Sequence, residues 1–340
     1  MWYDKSLMLS HNKILNMVLS NRGGGKTFTF TEWAISDFLK TGAECVWVRR
    51  YSTELTSKGQ GSNPGILDNG AFFNAMQKEG KFPGVKLEIK GTVGYINDKP
   101  AIYFVALSTS RALKSMNFPF VNKIIFDEFI IDKGRTPYLK NEAEVFLDLY
   151  ETVARMRDNV RAVLLANAVS MVNPYFLFWN IKPKPGKRFT VQGQVCVELF
   201  TDDDFVEQKK RSRFGQLVKN TRYGQYAIDN KWLLDNDTFI EDKSPDAEFM
   251  LGMKYNGTMY GFWVDYKRGL MYANKQYDPS SYSLYCLTRD DHEANLLLIK
   301  SLNESKRVQR IVYAFRNGLL RFSDMQVKGQ VYEFIGYFVR

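Results

Sequence analysis

The sequence predicts an α/β domain on a mainly parallel sheet, followed by a short linker and a smaller α+β domain. Three observations predict it. Apolar runs of strand length alternate with amphipathic stretches between residues 14 and 166, the pattern of a parallel sheet covered on both faces. A glycine-rich turn joins the first run to the first helix. Beyond residue 248, short strand-like runs are separated by turn signals, with helical stretches only afterwards.

Ile14–Ser20 is an apolar run long enough for a buried strand. Thr27–Lys40 reads as a helix with Phe30, Ala34, Phe38 and Leu39 at three-to-four spacing, stopped by Gly42. Cys45–Val48 is the second strand. Residues 52–84 are rich in Gly, Ser and Asn, a loop with a helix near 66–79. Val85–Ile89 and Ala101–Leu107 flank Asn97-Asp98 as an inserted β-ribbon. Lys123–Phe129 is the third core strand, Asn141–Arg157 a helix and Ala162–Ala166 the fourth strand. At about 100° per residue, Val145, Leu149, Thr152 and Met156 share one stripe of that helix, with Arg155 off it beside Asp148 and Glu151. Acidic Asp202-Asp203-Asp204 and basic Lys209-Lys210-Arg211 mark a charge-dense connector with helical turns. Glu248–Tyr255, Thr258–Val264 and Leu270–Ala273, joined by Asn256-Gly257 and Lys267-Arg268-Gly269, form an antiparallel meander. Asp290-Asp291 caps a helix through Leu296–Ile299 to Ser301, and another lies near 306–316. The expected domains are 1–197, 198–232 and 233–340.

With 340 residues and 45% apolar side chains, the chain has ample material for a core. Its charge of +10 is uneven: 26 basic against 17 acidic residues over 1–197, but 14 against 14 over 233–340. An acidic polymer facing the first domain explains that excess, and so does a solvated basic surface. Cys45, Cys196 and Cys286 are an odd number without paired spacing, which fits a reducing compartment. With His11 and His292 the only histidines, Cys/His zinc sites and Ser-His-Asp chemistry are excluded. The uncharged window Ala162–Ile181 contains Asn167, Asn173, Pro174 and Asn180, so it reads as strand, loop and short helix rather than a bilayer span. With no apolar leader, the expectation is a soluble, cytoplasmic protein with no membrane partner.

The chemistry concentrates at Asn21-Arg22-Gly23-Gly24-Gly25-Lys26-Thr27, between a strand and a helix. That context is what a phosphate-binding P-loop needs, although Ser20 stands at the first glycine position of GxxxxGK[ST]. Glycines permit positive φ and close backbone approach, and the helix N-terminus surrounds phosphates with partial positive charge. Lys26 would reach the β- and γ-phosphates of ATP, and Thr27 would place its hydroxyl on Mg²⁺. Lys123-Ile124-Ile125-Phe126-Asp127-Glu128-Phe129 is a buried strand ending in two carboxylates. Successive strand residues point to opposite faces, so the two are expected to do different jobs. Asp127 would hold Mg²⁺, and Glu128 would orient and deprotonate the attacking water. Asn167, ending Val163–Ala166, is either a γ-phosphate sensor or a turn-forming asparagine. Pattern alone makes Arg155 a surface partner of Glu151.

These residues resemble the DNA-packaging ATPases of φ29-like tailed phages. Besides the P-loop, the resemblance runs through Val48-Arg49-Arg50-Tyr51, Ile125-Phe126-Asp127-Glu128-Phe129, Asn167-Ala168-Val169-Ser170, Val172-Asn173-Pro174-Tyr175-Phe176-Leu177-Phe178, Arg213-Phe214-Gly215 and Gly269-Leu270-Met271-Tyr272. It implies an ASCE-type ATPase domain, a linker domain and an RNase H-like C-terminal domain. In such a nuclease-like domain Asp246, Glu248, Asp265, Asp290 and Asp291 would be the metal-ligand candidates, but only Asp265, at a strand end, is placed for it, so nuclease activity is expected to be lacking. It also implies a homopentameric ring on the portal of a procapsid, a packaging RNA, double-stranded DNA as cargo, and residence in host cytoplasm with transient procapsid attachment but absence from the mature virion. By resemblance, Arg155 enters the neighbouring subunit's site and Lys114 is a second basic position at the subunit boundary. Lys58, Lys133, Arg135 and Lys140, in loops of the first domain, are candidate DNA grips. The competing readings are a P-loop nucleotide kinase and a slow-hydrolysing, ATP-dependent nucleic-acid-binding switch.

Overall fold

The computed structural model describes residues 3–20, 23–56, 65–131, 138–139, 141–167, 173–181, 183, 187–200, 203–218 and 239–339. The chain forms two compact units. The first comprises Met1–Ile130, Glu144–Val169 and Pro183–Leu233; the second comprises Ile131–Ala143, Ser170–Lys182 and Leu234–Arg340.

The first unit is built on nine strands: β1 (Leu15–Ser20), β2 (Glu44–Arg49), β3 (Leu87–Lys90), β4 (Val93–Ile96), β5 (Lys99–Ala106), β6 (Val121–Asp127), β7 (Arg161–Asn167), β8 (Phe189–Gln192) and β9 (Val195–Phe200). Their order is β3-β4-β5-β2-β6-β7-β1-β9-β8. The six from β5 to β9 run parallel, and antiparallel β3, β4 and β8 extend the edges. β1 and β2 are buried at every position, as strands covered on both faces must be. The sheet resembles the ASCE arrangement, with β7 interposed between the glycine-loop strand β1 and the acidic strand β6.

The helix Lys26–Thr41 buries Phe30, Ala34 and Ile35, while Leu39 is 41% exposed. Gly42, at φ 75, ends it by donating its N–H to the Phe38 carbonyl. The ribbon turn Asn97-Asp98 has φ of 50 and 61, the left-handed pair of a two-residue hairpin. The helix Glu142–Ala154 buries Ala143, Phe146, Leu149 and Val153. This corrects the expected stripe: Val145 and Thr152 are half-buried and Met156 is exposed. The helix ends at Ala154, and Arg155 takes φ 50, so helical phase does not carry to 156. Helices Asp203–Arg211 and Arg213–Val218 occupy the charge-dense stretch.

The second unit has a six-stranded sheet of β10 (Glu248–Tyr255), β11 (Thr258–Asp265), β12 (Leu270–Asn274), β13 (Leu284–Cys286), β14 (Leu297–Leu298) and β15 (Leu320–Phe322), ordered β14-β13-β10-β11-β12-β15. β10, β11 and β12 are the expected meander, and the remaining pairings are parallel. Helices Lys306–Arg316, capped by the Ser305 hydroxyl, and Met325–Val339 pack on it through Val308, Ile311, Val327, Val331 and Phe334. The helix expected after Asp290-Asp291 is absent. Leu297–Leu298 pairs with β13 instead, and Asp291 accepts N–H bonds from Asn256 and Gly257 at 3.0 and 2.7 Å, tying down the β10–β11 turn. A four-residue apolar run suits helix or strand, and sheet pairing decides here. Among the described residues, no helix is long and apolar enough to cross a membrane.

Candidate nucleotide site

β1, β6 and β7 end side by side, with Ser20 level with Asn167 and Asp127 level with Leu165. Their C-terminal ends open into a cleft of about 220 Å³ whose walls include Gly23, Gly24, Gly25, Lys26, Thr27, Asp127, Glu128 and Asn167. The geometry brings together every described residue of the glycine loop, both carboxylates and the asparagine. Gly23 and Gly25 have φ of 90 and 78, which a residue with a Cβ resists, and Gly25 leads directly into the helix at Lys26.

Lys26 is buried, its Nζ 2.7 Å from Ser20 Oγ and 3.4 Å from Asn167 Oδ1. The serine at the glycine position is thus a hydrogen-bond partner of the loop lysine. Burial pushes the Lys26 ammonium down to about 8, against the pull of Asp127 and Glu128. Phosphate oxygens would add negative charge beside this buried amine. Thr27 Oγ1 lies 3.3 Å from both Asp127 carboxylate oxygens. Burial raises the Asp127 pKa, and the Arg49 guanidinium works against it. A hydroxyl and a carboxylate converging beside the loop lysine are hard oxygen donors, so these residues fit Mg²⁺ held together with a nucleotide's phosphates.

One expectation is corrected. Strand alternation sets Asp127 and Glu128 on opposite faces, yet both line the cleft and both bond to Arg49. Glu128 lies past the strand end with φ 62, so alternation stops and its carboxylate turns back to the same side. Arg49, only 8% exposed, places Nη1 3.1 Å from Asp127 Oδ2, Nη2 2.9 Å from Glu128 Oε2 and Nε 3.1 Å from Glu54 Oε2. Burial disfavours its charge, but the three carboxylates outweigh that and raise its pKa.

The exposed Arg155 side chain donates to the Met116 carbonyl at 3.2 Å, and its backbone N–H donates to the Glu151 carbonyl at 2.7 Å. It is not among the cleft's lining residues. Lys114 Nζ lies 3.6 Å from Asp148, in the helix that ends one residue before Arg155. Arg157 donates to the carbonyls of Phe118, Pro119, Val121 and Val153 at 2.6–2.8 Å, fastening the helix end to the 118–121 loop. Asn21, Arg22, Lys58, Lys133, Arg135 and Lys140 lie outside the described residues.

In the second unit, Asp265 accepts the N–H groups of Lys267 and Arg268 at 3.0 and 2.9 Å, so it organises the turn into β12. The backbone bond from Arg268 leads in holding its carboxyl below the usual range. Asp246 pairs with Lys267 at 3.0 Å. Among the described residues, no three His, Cys, Asp or Glu side chains are grouped to hold a metal ion.

Residues 1–338 match the family of podovirus DNA encapsidation proteins (Gp16). The chain belongs to that family. It is 38% identical to the DNA packaging protein of Bacillus phage phi29 over 333 residues, 98% of this chain and 96% of that one. The DNA packaging protein of Bacillus phage B103 is 35% identical over 326 residues, 96% and 98% of the two chains. Among solved structures, a chain of the bacteriophage phi29 viral genome packaging motor assembly superposes with a TM-score of 0.58 at 38% identity, covering 100% of this chain and 99% of that one. This family member is an ATP-hydrolysing packaging protein.

Sequence reasoning did not single out Arg49, Arg50 or Glu54 for this site. The available signal was two adjacent arginines closing the apolar run Cys45–Val48, in a strand that sheet pairing sets beside the acidic one.

Proposed function

We propose that this chain is the ATP-hydrolysing subunit of a motor that drives double-stranded DNA into a viral procapsid. The observation that carries the reading is one cleft holding Lys26, Thr27, Asp127 and Glu128 in a chain 38% identical to a phage DNA packaging protein along nearly its whole length. That extent of likeness favours packaging over the nucleotide-kinase and slow-switch readings. Lys26 and the glycine-loop amides, including those of Asn21 and Arg22, bind the phosphates of ATP. Thr27 and Asp127 would hold Mg²⁺, which neutralises charge on the transferring phosphoryl group. Glu128 aligns the attacking water and accepts its proton. Asn167, beside Lys26, senses the γ-phosphate.

Arg155 acts in trans. Its exposure and its place outside its own cleft support a role at a neighbouring subunit's site, where an arginine stabilises transition-state charge. Lys114 is the second basic residue of that boundary. The assembly is a ring, a pentamer by family resemblance, on the procapsid portal with a packaging RNA, working transiently in the host cytoplasm and absent from the mature virion. DNA is held mainly through its phosphates, independent of sequence, with Lys58, Lys133, Arg135 and Lys140 as grips. The domains are 1–197 for ATP hydrolysis, 198–232 as linker and 233–340 as an RNase H-like domain without nuclease activity. The strand order β12-β11-β10-β13-β14 supports the RNase H-like reading, and the engagement of Asp265 in a turn supports inactivity.

The test is a pair of variants. Lys26→Ala is expected to lose ATP binding, whereas Glu128→Gln binds ATP and does not hydrolyse it. Wild-type turnover by Glu128→Gln would overturn the assignment.

A further inference from the structure

Arg50, which follows the last residue of β2, is only 3% exposed and reaches the backbone on the far side of the acidic pair. Its guanidinium lies 5.6 Å from the Phe126 ring centroid. Nη1 donates to the Glu128 carbonyl at 3.3 Å and Nη2 to the Phe129 carbonyl at 2.6 Å. We propose that Arg50 is a positioning residue for ATP hydrolysis, fixing the left-handed backbone of Glu128 so that its carboxylate points into the cleft. The inference rests on the reading of Glu128 as the residue that activates water.

A left-handed conformation at a residue with a Cβ persists only when its surroundings over-determine it. Glu128, at φ 62, is such a residue. The peptide unit joining it to Phe129 is held from both ends. The Phe129 N–H donates to the Leu165 carbonyl at 3.1 Å, and the Glu128 carbonyl accepts from Arg50. The preceding peptide unit belongs to the end of β6. With both flanking units fixed, the φ and ψ of Glu128 are fixed, and with them the direction of its Cβ. Adjacent arginines therefore serve one glutamate: Arg49 at its carboxylate and Arg50 at the backbone behind it. The task requires a planar fork reaching two successive carbonyls. A lysine ammonium keeps the charge but lacks the fork.

The experiment compares Arg50→Lys and Arg50→Met with wild type for kcat, KM, affinity for a fluorescent ATP analogue and thermal midpoint, and repeats Arg50→Lys in a Glu128→Gln background. The proposal expects kcat to fall about tenfold or more in both single variants, with nucleotide affinity within about twofold. It also expects Arg50→Lys to leave unchanged any slow residual single-turnover hydrolysis detectable at long times in Glu128→Gln, because Arg50 acts only through that side chain. A full kcat in folded Arg50→Lys, or an equal further loss in the Glu128→Gln background, overturns it. If Arg50→Met loses cooperative unfolding, Arg50→Lys carries the comparison. Wild-type turnover by Glu128→Gln alone overturns instead the role of Glu128, so the two failures are distinguishable.

Discussion

Arg49 Nη2 lies 2.9 Å from Glu128 Oε2, while Nη1 of the same guanidinium lies 3.1 Å from Asp127. One buried cation thus balances two adjacent carboxylates that would otherwise repel each other in a low-dielectric cleft. Arg49→Met removes that cation and leaves Lys26 as the remaining positive charge acting on Asp127. Asp127, already raised by burial and held back chiefly by Arg49, then protonates at higher pH. The acid limb of the pH–rate profile is predicted to move upward and turnover to fall about tenfold or more. An unmoved limb would show that Arg49 does not set the protonation of Asp127.

Lys26 carries a second pH signature. Its ammonium is depressed to about 8 by burial, so near that pH a substantial fraction is neutral before ATP arrives. Phosphate charge favours the ammonium, so binding takes up a proton and ATP affinity falls as pH rises through 8. Calorimetry in buffers of different ionisation enthalpy near pH 8 is predicted to register this uptake. Binding heats that do not depend on the buffer, or an ATP affinity unchanged as pH rises through 8, would contradict it.

The exposure of Arg155 leads to a complementation test. Arg155→Ala and Glu128→Gln are each predicted to be inactive as homogeneous assemblies. Mixed together, they form interfaces where an intact Arg155 meets an intact Glu128, and part of the hydrolysis returns. A mixture as inactive as its components would argue for action in cis.

Tyr3 ties the amino-terminal segment to the glycine loop. Its hydroxyl donates to Glu198 at 2.5 Å, its N–H to the Gly24 carbonyl at 3.2 Å, and its carbonyl accepts from Thr29 at 2.8 Å. Burial raises the Glu198 pKa, with the bonds from Tyr3 and Arg188 opposing it. Tyr3→Phe removes a donor from a carboxylate with no exposed surface, and is predicted to destabilise the protein by about 1–3 kcal/mol in denaturant unfolding.

The parallel sheet and glycine loop were legible in the sequence because strands buried on both faces read as uninterrupted apolar runs and the loop needs glycines at defined positions. What escaped depends on where regular structure stops. Alternation misdirected Glu128 because its left-handed φ begins one residue past β6. The helical wheel misplaced Met156 because the helix ends two residues earlier. The short run Leu296–Ile299 carries no period, and only the neighbouring β13 makes part of it a strand. Arg49 was invisible because its two partners in the cleft, Asp127 and Glu128, lie 78 and 79 residues away. Sheet order, which no local pattern encodes, brings them together.

The most direct test of a DNA-coupled motor with shared sites is steady-state ATP hydrolysis against protein concentration, with and without linear double-stranded DNA. The account predicts turnover that rises faster than linearly with protein and rises further when DNA is added. Turnover strictly proportional to protein and indifferent to DNA would contradict it.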